Sequence, residues 1–128
     1  MDIKKGDKEL SDFDNAIESG FSKGFFVAYS NDCFELWFYL HFHYTDQKNH
    51  RKFYYKKLGE NYEKNKKKYN FCLKIYSLLK SDQNASQYDA IERAKKLHEN
   101  QKKLTYHKQN PITLVYKLVE YLNDNIRE

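Results

Sequence analysis

The run from Phe34 to Tyr44, Phe-Glu-Leu-Trp-Phe-Tyr-Leu-His-Phe-His-Tyr, constrains this chain more than any other segment. Every second residue is large and apolar. Phe34, Leu36, Phe38, Leu40, Phe42 and Tyr44 share one side of an extended chain; Glu35, Trp37, Tyr39, His41 and His43 share the other. A period of two predicts a β-strand with one face in a core. The opposite face then carries an indole, a phenol and two imidazoles, and becomes a candidate binding surface.

The flanks of this run read as a meander. Gly24–Tyr29 is rich in β-formers and predicts a first strand. Ser30-Asn31-Asp32 supplies turn residues, so the two runs together resemble a hairpin. Thr45–His50 is polar enough for a second turn. Lys52–Lys56 predicts a third strand with lysines on its edge, or alternatively the start of a helix.

On either side the spacing is helical. Ser11 or Asp12 can cap a short helix through about Ser19, with Phe13, Ile17 and Phe21 on one face and Gly20 as its stop. From Glu60 to about Lys80 a stripe of Tyr62, Tyr69, Cys72, Ile75, Tyr76 and Leu79 predicts another helix. Ala85 or Ser86 opens a helix reaching Tyr106, with Tyr88, Ile91, Ala94, Leu97 and Leu104 inward and Glu92, Lys95, Lys96 and Glu99 outward. Asn110-Pro111 reads as the start of a last helix, since Pro suits the first helical position. Its apolar side would be Ile112, Val115, Leu118, Val119, Leu122 and Ile126.

The expected fold class is therefore α+β: a short N-terminal helix, a two- or three-stranded antiparallel meander, then three helices packed on one face. The alternative is an all-α bundle with the Phe34–Tyr44 run as a buried helix. With 128 residues, one domain spanning 1–128 is expected, its first eight residues frayed. The 12 Tyr, 9 Phe and single Trp imply a core built from rings and argue against disorder.

Charge is segregated along the chain. Residues 1–47 hold 4 basic and 9 acidic side chains, residues 48–80 hold 11 basic and 2 acidic, and the overall net charge is +5. A concentrated positive segment attracts an acidic protein face or a phosphate backbone. Arg51 is its one arginine, which disfavours sequence-specific base reading and leaves non-specific phosphate contact. A solvated lysine-rich helix face explains the same composition.

Motifs for catalysis are missing. The chain has no Gly-x-Ser-x-Gly elbow, P-loop or Gly-x-Gly-x-x-Gly, and neither Cys33 nor Cys72 lies in a catalytic sequence. The two cysteines form no Cys-x-x-Cys pair, so reduced thiols and a cytoplasmic location are expected. His41 and His43 would point the same way from a strand, but a metal centre needs further ligands that no recognised spacing supplies. Neither a metal nor a cofactor is expected. No apolar stretch has the length of a membrane span, and no leader sequence is visible.

These observations favour a small non-enzymatic protein-binding module, such as an inhibitor, immunity or adaptor protein of bacterial or phage type. The expected contacts are Trp37, Tyr39, His41 and His43 as anchors, with Arg51, Lys52, Lys56, Lys64, Lys66, Lys67 and Lys68 steering an acidic protein partner. A homodimer is a further possibility, and no membrane partner is expected. The alternative function is binding of RNA or single-stranded DNA through the same aromatic and basic residues.

Overall fold

The computed structural model describes residues 5–63, 80 and 82–125. In chain order these form α1 (Lys5–Ser22), β1 (Ser30–Asn31), α2 (Glu35–Leu40), α3 (Arg51–Glu63), α4 (Gln87–Gln101), a 3-10 turn (Tyr106–Lys108), β2 (Ile112–Thr113) and α5 (Val115–Asn125). The class is α+β, with helices and strands in roughly the expected order. The placement of the strands differs. β1 pairs antiparallel with β2, matching Ser30 with Thr113 and Asn31 with Ile112. Leu114 N–H extends the ladder to the Tyr29 carbonyl at 2.8 Å. The sheet thus joins two distant stretches of chain and is not a local meander.

The Phe34–Tyr44 run is the main correction. Glu35–Leu40 is a helix, and all six of its residues are buried. Helical bonding continues past it, with His43 N–H reaching the Tyr39 carbonyl at 3.0 Å. A short helix enclosed on every side has no polar face, so its sequence carries no 3.6-residue period. Its large apolar residues were free to fall at alternate positions, and that imitated a strand. The ring contacts show the true spacing: Phe34–Phe38 (5.2 Å), Trp37–His41 (5.0 Å) and Tyr39–His43 (5.7 Å) are each four residues apart.

α2 is the centre of the molecule. It packs on α3, α4 and both strands. Leu36 and Leu40 are fully buried, as are Tyr54 and Leu58 of α3 and Ala90 and Ala94 of α4. Burying one such leucine contributes about 2 kcal/mol. The two alanines are small enough for α4 to approach α2 closely. The last carbonyls of α2 are satisfied from α4: Arg93 Nη1 donates to the Leu40 oxygen at 2.7 Å, and Ser86 N–H donates to the His41 oxygen at 2.9 Å.

Other boundaries follow from local chemistry. Ser86 caps α4 as expected, its Oγ accepting the Asp89 N–H at 3.1 Å. Glu92, Lys95, Lys96 and Glu99 face solvent as expected, but so do Tyr88 and Leu104, which were assigned to the inner face. α1 does not stop at Gly20. It runs on to Ser22, and Gly24, with φ +79°, is the residue that ends it. Gly20 is needed for another reason: a β-carbon there would lie 2.7 Å from Cγ2 of Val27.

Pro111 does not open a helix. It precedes β2, where its missing N–H and fixed φ are equally tolerated, and α5 begins at Val115. Lys52–Lys56 lies in α3, the alternative to a third strand. Gly24–Tyr29 forms no strand, and Phe25 and Phe26 are exposed. Most of the expected Glu60–Lys80 helix, including Tyr69, Cys72, Ile75, Tyr76 and Leu79, lies outside the described residues.

α1 is fastened to the 3-10 turn by polar contacts. Asp14 accepts the His107 N–H at 2.8 Å through Oδ1, and its Oδ2 meets His107 Nδ1 at 2.6 Å. Tyr106 donates its hydroxyl to Glu18 at 2.9 Å. The Tyr29 hydroxyl donates to the Gln109 side chain, and burial raises it to about 12.

Candidate functional site

The expected aromatic surface is not available. Trp37 is 5% exposed, Tyr39 8% and His41 6%, because the helical turn directs them into the core instead of onto one face of a sheet. Tyr39 contacts the rings of Phe53 and Tyr54 on α3. His43 alone among the four is exposed. The pairing of His41 with His43 in one site fails for the same reason: in a helix, residues two apart point in different directions. Among the described residues, no group of three or more His, Cys, Asp or Glu side chains could hold a metal ion.

The cations fare differently. Arg51, Lys52 and Lys56 are exposed on α3. Arg51 opens that helix against Asp32, whose Oδ2 accepts the Arg51 N–H at 2.9 Å and whose Oδ1 lies 3.5 Å from the guanidinium. Lys52 and Lys56 sit one turn apart on one side of α3. Lys64, Lys66, Lys67 and Lys68 lie outside the described residues.

Cys33 is a free, half-buried thiol. Burial, and next the neighbouring Glu35 carboxylate, push it up to about 12. A thiol so protonated is a poor nucleophile.

A different site emerges at the junction of α2, α5 and the chain entering α4. A cleft of about 480 Å³ opens there. Phe34, Trp37 and Phe38 line it from α2 and the residue before it, and Val115 and Val119 line it from α5. His41 at the end of α2, Ala85 and Gln87 at the start of α4, and Lys80 complete the lining. Its position follows from the α2–α4 clamp, since the Ser86 N–H bond to the His41 carbonyl brings Ala85 and Gln87 beside the imidazole.

His41 is, with Gln87 and Lys80, one of three polar residues in this lining. Its Nδ1 lies 2.9 Å from the Trp37 carbonyl oxygen. A carbonyl only accepts, so Nδ1 carries the proton. Burial holds the imidazole below its ordinary value, and the Arg93 charge adds to that, although its backbone contacts oppose it. The neutral ring therefore presents a bare Nε2 lone pair. No hydrogen bond to Nε2 is formed among the described residues.

The apolar surface continues outside the cleft. Val115, Leu118, Val119 and Leu122 follow one another at helical spacing on α5. The first is buried, but Leu118 and Leu122 are exposed, and Tyr121 beside them is 55% exposed. Tyr121 meets Phe26, itself 55% exposed, in a tilted ring contact at a centroid distance of 6.1 Å. The sequence had marked the α5 stripe as core; its second half has no covering partner among the described residues. No sequence signal distinguishes a covered stripe from an open one.

No helix among the described residues is long and apolar enough to cross a membrane. Comparison with curated proteins and with solved structures gives no match. A protein-family model described as RloB-like protein matches residues 1–122, so the chain belongs to the RloB-like family.

Proposed function

We propose that this RloB-like protein is a small non-enzymatic protein-binding module, of the inhibitor, immunity or adaptor kind, acting in the cytoplasm on an acidic protein partner. The observation that carries this reading is the open apolar surface formed by Phe26, Leu118, Tyr121 and Leu122. Scattered exposed apolar residues are ordinary, but a contiguous group beside an apolar cleft is the usual mark of an interaction site. Tyr121 is the natural anchor, since interface energy concentrates in such rings. The exposed Arg51, Lys52 and Lys56 supply long-range attraction to an acidic partner.

This surface replaces the Trp37 face in the proposal. The absence of catalytic motifs and the unreactive Cys33 thiol support a binding role. The rival, RNA or single-stranded DNA binding, retains exposed cations on α3 but loses its stacking platform, because Trp37 and Tyr39 are core residues.

The test compares the native chain with a Tyr121→Ser/Leu122→Ser variant in quantitative affinity capture from the host. Both positions are exposed, so the fold should survive, which circular dichroism checks. A partner whose recovery falls at least about tenfold with the variant supports the reading. Equal recovery by both proteins overturns it. Sedimentation of the purified chain checks for a homodimer: self-association abolished by the variant would assign the surface to a second copy. Steeply salt-dependent binding to a single-stranded oligonucleotide would favour the rival.

A further inference from the structure

We propose that the cleft beside His41 is a specificity pocket that receives a tryptophan or tyrosine side chain from an acidic segment of the partner. The inference rests on the protein-binding reading above and names the chemistry of that partner.

Three features define the occupant. The cleft has room for a large ring, at about 480 Å³, and Phe34, Trp37, Phe38, Val115 and Val119 give it an apolar lining. Apolar walls of this kind select an aromatic or large aliphatic group. The second feature is the acceptor within them. With Nδ1–H committed to the Trp37 carbonyl, His41 offers Nε2 as an acceptor. A ring carrying its own N–H or O–H meets it; a phenylalanine or leucine would cover the lone pair and leave it without a donor. The third feature is the charge in the lining. Lys80 supplies an ammonium, and the lining contains no carboxylate among the described residues. Gln87 also lines the cleft, its Oε1 already accepting from Asn123 at 3.1 Å, which leaves its amide N–H groups as donors. Cationic and amide donors in the lining favour residues bearing carboxylates on either side of the inserted ring.

A free small molecule would satisfy the pocket but not its surroundings. The stripe leaves the cleft at Val119 and continues to Leu122, with Tyr121 and Phe26 alongside. A ligand confined to the cleft leaves these residues in water. A polypeptide covers both, with one side chain inserted and its neighbours lying over α5.

Calorimetric titration with short acidic peptides carrying a central Trp, Tyr or Phe tests the inference. The Trp and Tyr peptides should bind about tenfold more tightly than the Phe peptide, the value of one hydrogen bond to a buried acceptor. His41→Phe, which keeps the ring and removes the acceptor, should erase that preference. That change also removes the bond to the Trp37 carbonyl, so a second variant is needed. Ala85→Leu places bulk in the cleft from a half-buried position and should abolish binding of all three peptides. Lys80→Glu should weaken the acidic peptides and favour their lysine-flanked counterparts.

Equal affinity for Trp and Phe peptides, or binding unchanged by Ala85→Leu, overturns the inference. So does indole-3-acetate binding as tightly as the Trp peptide, which would make the cleft a small-ligand site. If no peptide binds while the Tyr121→Ser/Leu122→Ser variant loses its host partner, the pocket is wrong and the protein-binding reading stands. If the peptides bind as expected while that variant keeps every partner, the pocket stands and the α5 surface is wrong.

Discussion

Arg93 reaches from α4 to the carbonyl oxygen of Leu40, the last residue of α2, over 2.7 Å. Carbonyls in the final turn of a helix have no partner within it, and Leu40 is fully buried. Arg93→Met keeps the aliphatic stem and removes the donor. The expected loss is about 2 kcal/mol in urea unfolding, the cost of a buried carbonyl deprived of a charged donor. Lys95→Met on the same helix should change much less, because its contacts with Glu92 and Glu120 are at the surface.

Asp14 holds His107 by both its backbone and its ring. Asp14→Ala should cost about 2 kcal/mol, since both bonds end on one carboxylate that no other described group replaces. The loss should be local first. Hydrogen exchange of the α1 amides is expected to accelerate more than that of α4, because α1 makes its main packing contacts with the 3-10 turn that His107 belongs to.

Gly20 faces Val27 across a gap that no β-carbon can enter without displacement. Gly20→Ala should therefore destabilise the protein by about 1 to 3 kcal/mol, although alanine is the better helix former. Combined with Val27→Ala, the same change should become favourable by up to about 1 kcal/mol relative to Val27→Ala alone. A double-mutant cycle on thermal or urea unfolding measures this reversal.

His41 and His98 give stability a defined pH dependence. Burial lowers both; Arg93 adds to the effect on His41, and Lys117 adds to it on His98. A folded-state value below the unfolded value of 6.5 means that the unfolded chain binds more protons between the two. Stability from these groups is complete above about pH 6.5 and is lost as pH falls through the folded values. The melting temperature should thus drop on going from about pH 7.5 to about pH 5. His98 Nδ1 shares a hydrogen bond with the Tyr116 hydroxyl at 2.7 Å, in which either atom can be the donor. His98→Gln, which can accept the same bond without titrating, should flatten part of the slope.

What was legible in the sequence was what local chemistry decides. Ser86 announced α4, because a cap and the apolar spacing behind it lie within one segment. The outward Glu92, Lys95, Lys96 and Glu99 were legible for the same reason. α2 was not, because total enclosure removes the polar face from which a helical period is recognised. The sheet was not, because each strand is two residues long and its partner lies far along the chain. Of the candidate site, the expected anchors Trp37, Tyr39 and His41 are core residues, since alternation along α2 does not tell a buried helix from a half-exposed strand. The stripe through Val115, Val119 and Leu122 was legible as apolar. Its partial exposure was not, since that depends on where α4 and α2 end.

The bond between Ser30 and Thr113 spans 83 positions of sequence, at 2.8 Å. On the ribosome, the segment after α1 must therefore wait for nearly all of the described chain before its ladder can form. A message cut short before the codon for Ile112 would yield a product whose Tyr29 carbonyl and β1 backbone lack their ladder partners. Quality control, rather than partial activity, is the fate expected for such a fragment.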